Sequence, residues 1–253
     1  SLGTNYAYFW NYALNDEYKL FLFDISDITS LNPLGELSLG KEGSIESFVN
    51  SRSRKMGFLF RYPTGEKDLT ITLLDFSNIA SVKETPVLKM LDTLGYLTKA
   101  VLSQKEDLLF LISKNITKGL FIYNISEPTT PVFISSLRLP EAGMKVHSLT
   151  LSKDEQTLFV LCWDDKQFYS LVILDLSNLA SPKRLSVFKL PGIWRLDDPR
   201  PLILTKDMKK AYVLADFNIL VLNMTNLALP VVFGVFPLNF EDTYVKTFFL
   251  SSD

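Results

Sequence analysis

The sequence of 253 residues predicts an all-β fold made of five copies of one unit, and two repeated motifs carry that prediction. In the first motif an apolar stretch such as "LVILDLSN" ends in Asp or Asn, and Ser or Thr stands two positions later. The intervals between its copies are 51, 49, 51 and 48 residues. The Asp or Asn position falls at Asp24, Asp75, Asn124, Asp175 and Asn223.

The second motif has the same period and precedes the first in each unit. A hydroxyl residue stands seven positions before an aromatic residue, as in "TLSKDEQTLFVL", where Ser152 precedes Phe159. Further copies begin at Ser51, Ser103 and Thr205. Because the two motifs recur with the same period and at a constant offset from each other, they indicate an internal repeat much more securely than either motif alone.

Each unit is predicted to contain four short strands. In the fourth copy these are "HSLTLS", "TLFVLCW", "SLVILDL" and "RLSVFKL", separated by polar turn segments. The two middle strands are continuous apolar runs, which indicates that both faces of each sheet are covered. Four-stranded antiparallel sheets that are buried on both faces and repeated every ~50 residues are typical of a β-propeller.

The strand end followed closely by proline, as in "FIYNISEPTTPVF", resembles the LVIVD repeat of propeller-type surface proteins. The resemblance covers the whole chain, with one copy in each unit. It departs from the common pattern because Asn124 and Asn223 replace the acidic residue and most turns lack glycine. The resemblance implies a propeller fold and frequent placement at the cell surface, but it implies no catalytic residues.

The phase of the repeat at the two ends predicts a closed ring of five blades. The chain starts inside a second strand, "NYAYFWN", and stops just after a first strand, "KTFFLSSD". The first blade would therefore take three strands from the N-terminus and its inner strand from the C-terminus, which removes two open sheet edges. The alternative is an arc of a larger propeller. We expect residues 1–253 to form a single propeller domain excised from a longer chain.

Composition argues against several classes of function. The net charge of −2 provides no basic surface for nucleic acid, and no apolar run reaches the ~18 residues that a membrane helix needs. The single cysteine, Cys162, lies in an apolar strand and is interpreted as a buried small side chain. Because His147 is the only histidine, a catalytic triad or a histidine-based zinc site is not expected. We expect no metal and no cofactor.

Three sequons could carry N-linked glycans, at Asn115, Asn124 and Asn223. Two of them coincide with the Asp or Asn position of the repeat, where the side chain is predicted to accept hydrogen bonds from the following turn. Asn115 lies in a separate polar turn, "KNITKG", and is therefore the sequon most suited to glycosylation if the protein is secreted.

The candidate ligand or partner site is the segment "PGIWRLDDPRP", the longest connection between predicted units and the least like the others. It offers an aromatic platform and both charges, which suits a protein or sugar ligand. The alternative is that the arginines pair with the aspartates while the tryptophan packs between blades. The residues concerned are Trp194, Arg195, Asp197, Asp198 and Arg200.

These observations favour a non-catalytic propeller that serves as a scaffold or adhesion module of a larger extracellular or cell-surface protein. It could be a repeating unit of a filament, with another protein, a second copy or a glycan as partner. The alternative is an intracellular propeller subunit of a protein complex. A hydrolase or lyase with its site in the central channel is less favoured, because no set of channel-facing acid and base residues can be identified in the sequence.

Overall fold

The structure is a computed structural model. It describes residues 6–12, 18–24, 27, 32–40, 43–51, 53–66, 68–78, 81–90, 97–113, 119–139, 145–163, 169–191, 202–215 and 218–238.

The described residues form nineteen strands in five antiparallel sheets, and strands adjacent in a sheet are adjacent in the chain. Sheet 1 contains β1 (Tyr6–Tyr12), β2 (Tyr18–Asp24) and β3 (Asn32–Ser38). Sheet 2 contains β4 (Ser44–Asn50), β5 (Met56–Tyr62), β6 (Leu69–Asp75) and β7 (Lys83–Met90). Sheet 3 contains β8 (Leu97–Leu102), β9 (Leu108–Ser113), β10 (Leu120–Asn124) and β11 (Val132–Leu137). Sheet 4 contains β12 (Lys145–Leu151), β13 (Thr157–Trp163), β14 (Tyr169–Asp175) and β15 (Lys183–Lys189). Sheet 5 contains β16 (Leu202–Leu204), β17 (Lys210–Ala215), β18 (Asn218–Asn223) and β19 (Val231–Pro237).

The prediction that the middle strands are covered on both faces is confirmed in sheet 4. Successive side chains of a strand point to opposite faces. Leu158 and Val160 of β13 pack in a cluster with side chains of sheet 3, whereas Phe159 and Leu161 pack in a cluster with side chains of sheet 5. Cys162 is buried, as predicted, and belongs to the first of these clusters.

The contacts divide the chain into two compact units. Unit 1 comprises Ser1–Asp92 and Ile125–Pro131, and unit 2 comprises Thr93–Asn124 and Val132–Asp253. In unit 1, sheets 1 and 2 share one buried apolar cluster, which includes Leu20 of β2 and Leu59 of β5. In unit 2, sheets 3, 4 and 5 stack through two further clusters.

The hairpins that join the first and second strands of the four-stranded sheets have the same length, because in each the amide of the hydroxyl residue donates to the carbonyl of the residue five positions later. Four of them hold a residue other than glycine at positive φ, a region that L-residues adopt at some cost. These residues are Lys55 (φ 49°), Glu106 (φ 58°), Glu155 (φ 60°) and Met208 (φ 56°).

The prediction that the N-terminal part of the chain supplies three strands of the first blade is confirmed by sheet 1. The inner strand assigned to the C-terminal residues lies outside the described residues, so closure of the ring stays a prediction. The single domain over residues 1–253 likewise stays a prediction. In the part of the chain that the structure describes, no helix has the length and apolar character needed to cross a membrane.

Candidate functional site

Each four-stranded sheet has two chemically different ends. Because neighbouring strands are antiparallel, the start of the first strand, the connection between the second and third strands, and the end of the fourth strand meet at one end. In sheet 4 this is the end at which Lys145, Trp163 and Tyr169 are register partners. We call it the loop end, and we call the opposite end, with the two remaining hairpins, the turn end.

The first repeated motif closes a turn at the turn end, as the sequence predicts. In each of three copies a side-chain oxygen accepts a hydrogen bond from the backbone amide two residues later. The pairs are Asp75 with Ser77 (2.8 Å), Asp175 with Ser177 (2.8 Å) and Asn223 with Thr225 (3.0 Å). The repeated Asp or Asn is therefore a structural acceptor.

The second repeated motif also lies at the turn end. Ser152 Oγ accepts a hydrogen bond from the amide of Thr157 (2.9 Å) and donates one to Asp154 Oδ1 (2.6 Å). Thr205 donates to Asp207 in the same way (2.6 Å). A hydroxyl that both accepts and donates links the two strands of the hairpin and satisfies a buried amide.

The carboxylates of these motifs are poor candidates for general bases. Hydrogen bonding to the Ser152 hydroxyl lowers the pKa of Asp154, and the Thr205 hydroxyl lowers the pKa of Asp207. A lowered pKa stabilises the ionised form and reduces its tendency to take a proton. Within the described residues, no group of three or more His, Cys, Asp or Glu side chains could hold a metal ion.

The segment chosen from the sequence as a ligand site connects the fourth strand of sheet 4 to the first strand of sheet 5, which places it at a loop end in chain order. Its residues Trp194, Arg195, Asp197, Asp198 and Arg200 lie outside the described residues. The site therefore stays a prediction.

The three sequons fall in different places. Asn115 lies outside the described residues. Asn124 is exposed at the last position of β10, and Asn223 is half-buried at the last position of β18. The Asn223 oxygen accepts from both the amide (3.0 Å) and the hydroxyl (2.7 Å) of Thr225, so that sequon also has a structural role.

Sequence reasoning missed a cleft of about 230 Å³ in unit 1. It lies on the face of sheet 2 that carries Leu59, the face that packs on sheet 1. A signal was present in the sequence, because an arginine and two threonines interrupt otherwise apolar strands. The cleft is lined by Arg61, Pro63, Thr70, Thr72, Glu84 and Pro86.

Arg61 is held at the cleft by one carbonyl group and leaves another donor unused. Its Nη2 donates a hydrogen bond to the carbonyl oxygen of Leu39, which follows β3. Among the described residues, Arg61 Nε is the one buried side-chain polar atom without a hydrogen-bond partner. An unsatisfied buried donor costs about 1–3 kcal/mol, so Arg61 is held here at some cost to stability.

Comparison with known proteins identifies similar solved structures but no family for this chain. No family model matches the chain, and no curated protein matches it. The resemblance to the LVIVD repeat is therefore not shown by these comparisons.

Several solved structures match the chain over most of its length. A Lactobacillus plantarum protein has a TM-score of 0.69 and 15% identity, covering 94% of this chain and 69% of its own. A periplasmic gluconolactonase from Pseudomonas aeruginosa has a TM-score of 0.68 and 14% identity, covering 92% and 67%. A 6-phosphogluconolactonase candidate from Bacteroides uniformis has a TM-score of 0.66 and 11% identity, covering 94% and 71%.

These neighbours contradict the expectation of a non-catalytic scaffold and the inference that the chain is not an enzyme. Proteins named as lactonases share its fold over 92% and 94% of this chain. The lack of a recognisable acid–base set in the sequence would count against catalysis only if such residues kept a fixed motif spacing. In a propeller, however, site residues come from loops of different sheets and need not keep any motif spacing. The chain is a β-propeller of four-stranded antiparallel sheets.

Proposed function

We propose that this propeller is a hydrolase that opens the ring of a sugar lactone. The observation that carries the proposal is the match to proteins named as lactonases over more than 90% of this chain. The difference between the turn end and the loop end of the sheets also supports the proposal. Both repeated motifs are used for turns at the turn end, which leaves the variable connections at the loop end for a site.

The segment between β15 and β16 has the side chains that lactone hydrolysis requires. One carboxylate, Asp197 or Asp198, would take a proton from water as the water oxygen attacks the carbonyl carbon. Arg195 or Arg200 would stabilise the negative charge on the carbonyl oxygen. The bond from the carbonyl carbon to the ring oxygen then breaks, the ring oxygen takes the proton, and the open hydroxy acid is released. Trp194 would supply an apolar surface for the sugar ring.

The direct test is acid release from glucono-1,5-lactone and from its 6-phosphate, followed in a pH-stat against the spontaneous reaction. We expect catalysed hydrolysis of at least one lactone. Replacing Asp197 and Asp198 together by Asn should lower kcat by about 10²–10⁴-fold, the range for loss of a general base. Asp154→Asn is the matched control, because Asp154 lies at the turn end of sheet 4 and should leave kcat unchanged. No rate above the spontaneous reaction with either lactone would refute the proposal.

We also propose that the protein acts outside the cytoplasm. The named gluconolactonase neighbour is periplasmic, and Asn115 lies in a sequon between two strands of sheet 3. Expression through a eukaryotic secretory pathway should give a glycosidase-sensitive increase in mass. Asn115→Gln should remove most of that increase, whereas an unchanged mass on glycosidase treatment of the parent protein would contradict glycosylation.

A further inference from the structure

We propose that the cleft beside Arg61 is a binding site for a small carboxylic acid that carries several hydroxyl groups. The inference rests on residues of unit 1 and does not depend on lactone hydrolysis. A different segment, the connection between β15 and β16, carries the proposed reaction. The two ideas can therefore fail separately.

The cationic end of the cleft is the side chain of Arg61. Arg61 lines the cleft, and its Nη2 is tied to the carbonyl of Leu39, so the guanidinium is already fixed in position. A fixed guanidinium is a favourable partner for a carboxylate, whose two oxygens accept charge-assisted hydrogen bonds.

A second cation of sheet 2, Lys89, is already neutralised. Lys89 Nζ lies 2.8 Å from Glu66 Oε2 and 3.5 Å from Asp68 Oδ2. Among the described residues that line the cleft, Arg61 is the cation that an anionic ligand would meet. In the described part of the chain, Arg61 forms no ion pair with Glu84, although both line the cleft.

The floor of the cleft is made of hydroxyl groups. Thr70 is the register partner of Arg61, and Thr72 is the register partner of Leu59. Both threonines therefore lie on the same face of sheet 2 as Arg61, with Thr70 about 5 Å away across the ladder and Thr72 diagonally about 7–8 Å away. Each hydroxyl can both donate and accept, which matches the hydroxyls of a ligand.

The far side of the cleft offers an acceptor and an apolar wall. Glu84 lies on β7 opposite Leu74, and its carboxylate can accept a hydrogen bond from a ligand hydroxyl. Pro63 and Pro86 supply apolar surface for the carbon skeleton. A volume near 230 Å³ is below the roughly 300–1,000 Å³ of sites for drug-sized ligands, so a ligand of monosaccharide size fits better.

This combination of side chains favours a sugar acid over a neutral sugar and over a simple carboxylate. A neutral sugar would offer the Arg61 guanidinium no anionic partner. A simple carboxylate would leave Thr70, Thr72 and Glu84 without hydroxyl partners. Only a ligand with both kinds of group uses every side chain that lines the cleft.

Isothermal titration of the full chain with gluconate, glucose and acetate tests the proposal. We expect gluconate to bind and the other two to bind at least about tenfold more weakly, because each lacks one set of partners. If gluconate does not bind, or if acetate or glucose binds as tightly, the proposal is wrong.

Variants then locate the site. Arg61→Met should weaken gluconate binding by about 10- to 100-fold, as expected for loss of hydrogen bonds to a charged group. Arg54→Met is the matched control, since Arg54 in the same unit donates to the carbonyl of Ile125 (3.3 Å) and does not line the cleft. It should leave the affinity unchanged.

Two further substitutions keep the test valid if Arg61→Met unfolds. Glu84 is exposed, so Glu84→Ala should fold normally and weaken gluconate binding by about 2- to 10-fold. Thr72→Val keeps the shape of the side chain and should have an effect of similar size. Unchanged affinity in both of these variants would place gluconate elsewhere and overturn the proposal.

Discussion

At the scale of single residues, what recurs in each unit is a set of hydrogen bonds between polar side chains and backbone amides. A short polar side chain at each strand end satisfies backbone amides that the sheet ladder leaves open. Ser152 and Asp154 show this in full, since one hydroxyl joins a carboxylate to a buried amide. Such contacts reach over only a few residues, which is why the sequence predicts them correctly.

The carboxylates of these turns make stability sensitive to acid. Their pKa values lie below the usual 3.8 because hydroxyl and amide groups donate to the ionised form. The unfolded chain therefore binds more protons, and the stabilisation is present above pH 3.8 and lost as the pH falls through the lower folded pKa. The carboxylates concerned are Asp75, Asp154, Asp175 and Asp207.

Denaturant unfolding between about pH 5 and about pH 2 measures this effect. We expect the free energy of unfolding to fall most steeply below pH 3.8. Asp154→Asn should make the fall shallower, because an amide keeps the acceptor oxygen but does not titrate. An equally steep fall in this variant would exclude Asp154 as a source of acid sensitivity.

The hairpin conformation predicts a stabilising substitution. Met208 adopts φ 56°, which costs an L-residue about 1–2 kcal/mol and glycine almost nothing. After the extra entropy of glycine in the unfolded chain is subtracted, Met208→Gly should raise the free energy of unfolding by about 0.5–1 kcal/mol.

Lys209→Gly, at the next position without a positive φ, is the control and should lower that free energy instead. Chemical denaturation of the three proteins compares them directly. Destabilisation by both substitutions would show that the φ of Met208 carries no such cost.

At the scale of elements, the last two described strands of each sheet share an irregularity that the sequence does not reveal. The pairing register shifts just before the repeated Asp or Asn in four sheets and in the middle of β6 in sheet 2, and such bulges increase the local twist. The shifts occur at Leu22/Phe23, Ile71/Thr72, Ile122/Tyr123, Ile173/Leu174 and Val221/Leu222.

The close packing of sheet 2 predicts an effect of adding one methyl group. A Cβ at Gly57 of β5 would lie 2.5 Å from ring atoms of Phe48, whose ring makes an edge contact with Phe76 at a centroid distance of 6.2 Å. Gly57→Ala should therefore lower the free energy of unfolding by about 1–3 kcal/mol, as overpacking does.

The double variant Gly57→Ala with Phe48→Leu provides the check, because the smaller side chain makes room for the methyl group. The double variant should be more stable than the sum of the two single effects predicts. Strict additivity in a thermal or denaturant unfolding series would contradict steric conflict between these residues.

At the scale of the whole molecule, the repeat predicts a role for the C-terminal segment. Phe248, Phe249 and Leu250 occupy the positions of a first strand in the repeat. If they complete the first blade, a chain ending at Leu238 loses about 5 kcal/mol of apolar burial and melts about 10 °C or more below the full chain.

Thermal unfolding of the two chains measures the difference. Full-length Lys246→Ser is the control, since it changes a polar position at the start of the predicted strand, removes no apolar side chain and should melt like the parent. Equal melting of the truncated and full chains would rule out a closing strand at the C-terminus.

The sequence alone determined the repeat, the fold class, the burial of both faces of the middle strands and the hydrogen bonding of the turns. These follow from side-chain patterns and from contacts within a few residues, as with Asp175 and Ser177. The tertiary structure decided the cleft beside Arg61, where three strands and the carbonyl of Leu39 meet. The position of these groups depends on strand register and on the packing of sheet 1 against sheet 2. Both connect residues far apart in the chain, so no local pattern in the sequence predicts them.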